Sequence, residues 1–248
     1  VDASELIDGQ RILSDEEKAR RERKRITQTG IVEYFWSPKS NAILFPLNGN
    51  LFLYHLDQAE TLQQLTTDVT FETDLHFSPD GRFLSFVRNQ NLFCIEVATG
   101  VERQLTLDGS GTISNGVAEF IAQEEMHRFD GYWWSPDSQS IAFIQVDEGT
   151  VELSQRYEID ADHFGVFDQR YPYAGTPNAR TRLGVIDITT AEIHWPAIER
   201  DPDTYLARVN WLGDSARLAI QIQSRNQQRL DLVLWHKRQD TVSTLLSE

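Results

Sequence analysis

No serine of this 248-residue sequence lies in the usual sequence context of a catalytic nucleophile. A serine nucleophile on a sharp strand-to-helix turn takes the pattern Gly-x-Ser-x-Gly, and that pattern occurs nowhere in the chain. The nearest match is Gly213-Asp214-Ser215-Ala216-Arg217, which lacks the final glycine and lies where we expect a turn. The sequence therefore predicts that this chain supplies no catalytic residue of its own.

Cysteine and histidine do not form a recognisable site either. The single cysteine, Cys94, lies in the apolar run Leu92–Ile95, so we expect a buried side chain. One thiol excludes an internal disulfide and any zinc site built on cysteines. The 6 histidines are scattered without the spacing of metal ligands. We therefore expect no metal and no other cofactor.

A strongly charged segment near the start of the sequence is a candidate for binding. Ser14 and Glu17 have the spacing of a capping box, in which two side chains satisfy free amides at the start of a helix. Good helix formers follow, with basic residues toward the end, which favours a helix over roughly 15–25. This helix has almost no apolar face, so we expect it on a solvated surface or in a cleft.

Glu124 and Glu125 form a pair of adjacent carboxylates later in the chain. With 38 Asp and Glu residues in the sequence, adjacent acids also arise by chance, as at Asp147-Glu148. The pair alone thus predicts no function, and its role has to be inferred from the surrounding sequence.

Composition excludes some classes of partner. The chain is 40% hydrophobic and 25% charged, as in ordinary globular proteins. Its net charge of −15 argues against nucleic acid, because a polyphosphate partner requires a basic face. No run reaches the roughly 18 apolar residues of a membrane span, and the start lacks a signal-peptide pattern. A signal could have been removed, so cytoplasm and periplasm both stay open.

A repeated unit organises the chain after Gly30. Each copy has an aromatic residue, a Ser-Pro turn and two apolar strands; the copies begin at Trp36-Ser37-Pro38, Phe77-Ser78-Pro79 and Trp134-Ser135-Pro136, with a degenerate one at Trp211-Leu212-Gly213. Proline presets φ for a turn, which Asp or Gly completes. The spacing from Trp36 to Phe77 is close to one propeller blade of about 40–50 residues.

These units predict an all-β fold, a partial β-propeller of about four blades. A polar helical segment at 1–30 precedes the propeller at 31–248, with blade-like units near 31–60, 70–106, 130–195 and 205–246. The later units are more widely spaced, which indicates insertions, and insertions often carry function. Four units do not close a ring comfortably, so we interpret them as an open arc or as part of a larger propeller.

Residues Phe120 to Pro136 resemble the glutamate-motif segment of the dipeptidyl peptidase IV family, in particular of its intracellular eukaryotic branch and the bacterial relatives. The segments Leu13 to Arg25 and Tyr171 to Asn178 also resemble this family, in the same order along the chain. The resemblance implies an eight-bladed propeller that caps an α/β-hydrolase domain. In the family, a Ser-Asp-His triad follows the propeller, so this part alone should be inactive.

The resemblance also implies roles for particular residues. Glu124 and Glu125, on a short inserted helix, match the carboxylates that hold the α-ammonium group of the substrate. Two carboxylates suit the three donors of an ammonium group, and docking there measures off two residues to the scissile bond. Arg25 matches the arginine that reaches the carbonyl of the second substrate residue, with Arg23 and Arg21 as alternative counterparts.

The stretch from about Asp147 to Tyr173 matches the arm through which family members dimerise. Its residues Val151–Leu153 and Tyr157–Ile159 alternate as in an extended hairpin, although a long loop is the alternative. The partners implied are peptides with a free N-terminus, the hydrolase domain of the same chain and a second copy of the protein.

Three functions remain open at this point. The first is the propeller part of a serine dipeptidyl peptidase, which the resemblance suggests would favour Pro or Ala at the penultimate position. The second is a propeller that only binds proteins, and the third is a family member without catalysis. The glutamate pair with its basic helix favours the first over the second. The sequence after the propeller would separate the first from the third.

Overall fold

A computed structural model describes residues 6, 15–39, 41–57, 61–67, 70–159, 161–198, 201 and 203–248. Within these ranges the chain forms two short helices and 19 strands. Helix α1 spans Asp15–Arg23. The predicted cap residue Ser14 lies outside the described residues, and the boundary at residue 30 stays a prediction.

Within the described residues, four larger antiparallel sheets follow one another along the chain, and a fifth, two-stranded sheet is inserted in the third. The first contains β1 Phe35–Trp36, β2 Ala42–Leu47, β3 Asn50–His55 and β4 Leu62–Gln64. The second contains β5 Thr73–Phe77, β6 Phe83–Arg88, β7 Asn91–Glu96 and β8 Val101–Gln104. In both sheets the strands pair in sequence order, which is the arrangement of a propeller blade.

The third sheet carries two insertions. It contains β9 Ile113–Asn115, β10 Tyr132–Trp134, β11 Ser140–Asp147, β14 Arg180–Asp187 and β15 Ile193–His194. Helix α2, Phe120–Glu125, lies between β9 and β10. A separate hairpin of β12 Leu153–Ile159 and β13 Phe164–Arg170 lies between β11 and β14. The extended hairpin expected from the sequence is therefore present.

The fourth sheet contains β16 Thr204–Trp211, β17 Arg217–Ser224, β18 Leu230–His236 and β19 Thr241–Ser247. The architecture expected from the sequence is confirmed, since the described chain is almost entirely β with two short helices. No helix in the described ranges is long and apolar enough to cross a membrane.

The core lies between neighbouring sheets. Phe86 packs with residues of the first sheet, whereas the adjacent Val87 packs with residues of the third. Ile141 and Ala142 likewise face opposite neighbours. Because β6 and β11 are buried on both faces, their sequences are nearly continuous apolar runs. Cys94 belongs to this core, and burial raises the pKa of its thiol to about 11.

The Ser-Pro turns connect neighbouring sheets as well as strands. The amide of Asp80 donates a hydrogen bond to Ser138 Oγ at 3.0 Å, and the amide of Asp137 donates one to Ser215 Oγ at 2.9 Å. Ser215 therefore joins the fourth sheet to the third. This structural role explains the serine of the segment that most nearly matches the nucleophile motif. In the turn of the second sheet, the residue equivalent to Ser138 and Ser215 is Gly81, where an added Cβ would lie 3.3 Å from Lys39.

Helix α1 is shorter than the predicted span of 15–25. It ends at Arg23, and the chain then turns, with Arg25 in the left-handed region at φ +56°. The amide of Ile26 donates to the carbonyl of Arg21 at 2.8 Å, which closes this turn. Arg25 therefore follows the helix rather than ending it.

Replacement of Gly131 by alanine should destabilise the fold. A Cβ there would lie 2.2 Å from the carbonyl carbon of Val117, a backbone atom that cannot move aside easily. Overpacking of this kind costs about 3 kcal/mol, so we expect a lower midpoint of thermal unfolding. Gly213→Ala is the matched control, since nothing lies within 4 Å of the added atom. Equal midpoints for the two variants would show that the close approach at Gly131 is relaxed at little cost.

Candidate functional site

A cleft of about 940 Å³ opens between the end of α1, the residues around the end of α2, and β16. Half of its lining residues are charged, and they come from parts of the chain that are far apart in sequence: Arg23, Lys24, Arg25, Glu124, Arg128, Asp130 and Arg208. Such a mixture suits a polar ligand that carries both a positive group and hydrogen-bond acceptors.

The two glutamates of α2 occupy different environments. Glu124 is half-buried and contributes to the wall of the cleft, whereas the next residue, Glu125, is exposed and does not. Successive side chains on an α-helix point about 100° apart, because one turn takes 3.6 residues. The structure therefore brings Glu124 directly to the cleft and leaves Glu125 beside it.

A buried ion pair joins the two residues that flank α2. Glu119 precedes the helix and Arg128 follows it, and Arg128 Nη2 lies 2.5 Å from Glu119 Oε2 with both side chains buried. Arg128 also donates to the carbonyl of Asp130 at 2.8 Å, and its amide donates to Ala122 at 2.9 Å. These contacts fix the chain on both sides of the glutamates.

Arg23 connects α1 to α2. Its guanidinium donates to Gln123 Oε1 at 3.2 Å and lies 5.3 Å from the centre of the Phe120 ring. Burial lowers the pKa of Arg23, while the charges of Glu148 and Glu124 oppose that shift. Because arginine keeps its proton across the physiological range, Arg23 places a positive charge close to Glu124.

Arg25 is exposed on the cleft wall. In the described part of the chain, no hydrogen bond or ion pair of its side chain is found. Arg21, the third alternative from the sequence, is directed elsewhere, since it donates to the carbonyl of Gln28 at 3.3 Å and does not line the cleft. Of the three arginines proposed from the sequence, Arg23 and Arg25 therefore line the cleft and Arg21 does not.

Several residues of the cleft were not singled out from the sequence. Asp130 faces the cleft and lies 3.3 Å from His76 Nε2. This hydrogen bond lowers the pKa of Asp130, so its carboxylate stays ionised. Lys24 also lines the wall and lies 5.9 Å from the centre of the Phe129 ring. No sequence pattern relates His76 to Asp130, since His76 lies in β5 and Asp130 lies in the segment before β10.

The hairpin of β12 and β13 lies next to this region. Arg156 on the hairpin donates to Glu22 of α1 at 2.6 Å, and Tyr171 packs edge-on against Phe120 at 5.1 Å. Large apolar side chains nevertheless remain exposed along the hairpin: Leu153, Tyr157, Ile159, Phe164, Val166 and Phe167.

The described residues do not assemble a group of three or more His, Cys, Asp or Glu side chains that could hold a metal ion. The cleft offers charged groups and hydrogen-bonding groups to a ligand. Ser215 lies elsewhere, in a turn where its hydroxyl accepts a hydrogen bond. The arrangement can therefore bind and orient a ligand. Its lining contains no serine that could act as a nucleophile.

Comparison with solved structures agrees with the propeller architecture. Dipeptidyl peptidase 4 of Porphyromonas gingivalis superposes with a TM-score of 0.77 at 23% sequence identity, over 92% of this chain and 34% of that one. At this level of identity the likeness establishes the fold.

Comparison with curated proteins gives relatives that are much longer. Dipeptidyl peptidase 8 of Mus musculus is 28% identical over 90% of this chain and 29% of its own length. Dipeptidyl aminopeptidase A of Saccharomyces cerevisiae is 26% identical over 64% of this chain and 18% of its own length. The chain therefore spans less than a third of the length of these relatives.

A family model identifies the region itself. The model described as the dipeptidyl peptidase IV N-terminal region matches residues 64–248, which include the third and fourth sheets and α2. This match extends over most of the chain and agrees with the relatives and with the fold. The chain belongs to the family of the dipeptidyl peptidase IV N-terminal region.

Proposed function

We propose that this chain is the propeller part of a serine dipeptidyl peptidase and that its cleft binds the N-terminus of a peptide. The observation that carries the proposal is the position of Glu124, half-buried in the cleft wall on a helix fixed by the ion pair of Glu119 and Arg128. A carboxylate held in this way binds an ammonium group without first losing conformational freedom.

Glu124 and Glu125 together would hold the α-ammonium group of the substrate. An ammonium group has three donors, and hydrogen bonds between ionised groups are about twice as strong as neutral ones. Fixing the N-terminus sets the distance to the scissile bond, so that the enzyme releases dipeptides. Binding energy far from the reacting carbonyl is thereby used for orientation.

Arg25 would donate to the carbonyl of the second substrate residue. Its guanidinium is exposed to the cleft, whereas that of Arg23 is engaged by Gln123 and Phe120. The guanidinium fork suits a carbonyl acceptor. In this proposal Arg23 supports α2 and Arg25 meets the peptide.

The nucleophile would lie in a hydrolase domain elsewhere in the protein. Support comes from the relatives, which are named as peptidases and are more than three times the length of the matched segment. A preference for Pro or Ala at the penultimate position is part of the same proposal. A protein-binding propeller and a family member without catalysis are the alternatives, and assay of the full-length protein separates them.

Homodimerisation through the β12–β13 hairpin is the last part of the proposal. The hairpin projects large apolar side chains into solvent, among them Ile159 and Phe164, which are 81% and 68% exposed. Exposed apolar groups of this size favour an interface. A second copy that contributes the same hairpin would form a symmetric contact.

Neutralising the glutamates should weaken substrate binding. In the full-length protein we expect Glu124→Gln to lower kcat/KM on a Gly-Pro chromogenic dipeptide by about tenfold to a hundredfold, because a hydrogen bond to a charged group contributes about 1.5–3 kcal/mol. Glu125→Gln should have a smaller effect, since this residue is exposed. The double variant should lose most of the rate.

Glu192→Gln, an exposed acid in the turn before β15, is the matched control and should leave the kinetics unchanged. Unchanged kinetics in the double variant would contradict the assignment of the glutamates. Absence of cleavage by the intact wild-type protein would favour the alternatives without catalysis.

The arginines can be separated by replacing each with glutamine in the full-length protein. Arg25→Gln should raise KM by about tenfold, the loss of a charged donor, and leave the thermal midpoint unchanged. Arg23→Gln should raise KM and also lower the midpoint, because Arg23 joins two helices. Arg21→Gln is the control on the same helix, and an equal rise in KM there would refute the choice of Arg25.

Charges on the exposed hairpin should prevent dimerisation. We expect Ile159→Arg combined with Phe164→Arg to reduce the mass of the full-length protein in solution, measured by light scattering, from that of a dimer to that of a monomer. Leu107→Arg is the control, since Leu107 is equally exposed but lies outside the hairpin. A dimeric double variant would place the interface elsewhere.

A further inference from the structure

The C-terminal end of α2 needs hydrogen-bond donors. The last carbonyl groups of a helix have no partner within the helix, and α2 has only six residues. Met126 caps this end, and the next residue, His127, adopts a left-handed conformation with φ +50° that turns the chain away. The carbonyl of Met126 is therefore directed out of the helix, one residue after Glu125.

A side chain from the fourth sheet supplies the donor. Arg208 on β16 donates through Nη2 to the carbonyl of Met126 at 2.8 Å, and through Nη1 to the carbonyl of Ala207 at 2.6 Å. The guanidinium thus bridges its own strand and the end of α2. A planar fork with two fixed donors suits this arrangement better than a single ammonium group.

An irregularity in β16 directs Arg208 to the cleft. The pairing of β16 with β17 shifts register between Leu206 and Arg208. Leu206 and Ala207 are both buried, so the alternation of the strand is interrupted, and Arg208 is exposed before Val209 returns to the core. Bulges occur often beside functional sites, where they change the direction of a side chain.

We propose that Arg208 is a positioning residue for the glutamate helix: it holds the carbonyl of Met126 and so fixes the orientation of Glu124 and Glu125. The inference rests on the proposed function, since it assigns a residue that supports the same site. Arg208 acts through α2 and does not meet the ammonium group of the substrate, which its own positive charge would repel. It makes the glutamates depend on the fourth sheet as well as on the third.

The test uses the full-length protein with Arg208→Ala, Arg208→Lys and the control Arg229→Ala. Arg229 is an exposed arginine directly before β18 of the same sheet, pairs with Asp231 and does not line the cleft. Two quantities are measured: hydrogen–deuterium exchange of the backbone amides of 120–128, and KM and kcat on a Gly-Pro chromogenic dipeptide. Exchange reports on α2 even when no peptide is cleaved.

We expect Arg208→Ala to accelerate exchange in α2 by about threefold to tenfold and to raise KM by a similar factor, which corresponds to the loss of one hydrogen bond. The value of kcat should change by less than about twofold, because bound substrate still reacts normally. Arg208→Lys should give intermediate values, since lysine reaches one carbonyl but not both. Arg229→Ala should match the wild type.

Three results would overturn the inference. The first is unchanged exchange in α2 of Arg208→Ala, and the second is a fall in kcat at constant KM. The third is equal acceleration in β17 and α2, which would indicate general destabilisation. Failure of the proposed function gives a different result: the wild-type protein cleaves no dipeptide, while the exchange experiment still decides whether Arg208 holds the helix.

Discussion

The buried ion pair between Glu119 and Arg128 determines where the glutamates of α2 can lie. The two residues flank the helix, and their side chains are 5% and 4% exposed, so neither charge can return to water without moving the chain. Loss of one partner from such a pair leaves an uncompensated charge and costs about 3–5 kcal/mol. The ion pair therefore closes the segment from 119 to 128 into a loop, and Glu124 and Glu125 lie within that loop. Rotation of α2 relative to β10 would require this pair to open.

The sheets supply the fixed points to which this loop is attached. The central strand of the third sheet is buried on two faces, as Ile141 and Ala142 show, so this sheet is held by both neighbours. The cleft then collects side chains from α1, α2 and β16, three elements that no short stretch of sequence contains. Arg23 places its positive charge close to Glu124 and donates its hydrogen bond to Gln123.

The sequence predicts the repeated architecture well because its signals are local. Ser-Pro turns and apolar strand pairs recur with a period that is visible without any tertiary information, and the glutamate pair is recognisable from the residues around it. The parts that the sequence does not predict depend on distant neighbours. The end of α1 at Arg23 reflects the turn that follows it, and the contact of His76 with Asp130 joins β5 to the segment before β10. The direction of the Arg208 side chain depends on a bulge in β16. The sequence of β16 indicates this bulge only weakly, through a charged residue between apolar ones.

Hydrogen bonds between the turns of neighbouring sheets determine how the sheets stabilise one another. The amide of Asp80 donates to Ser138 and that of Asp137 donates to Ser215, so the turns of the second, third and fourth sheets are bonded in succession. Such an arrangement is nearly one-dimensional, since every unit gains stability only from its two neighbours. Fraying at one end should therefore be damped from sheet to sheet. The third sheet, bonded on both sides, is the most protected place in the described chain for a loop that must keep its shape.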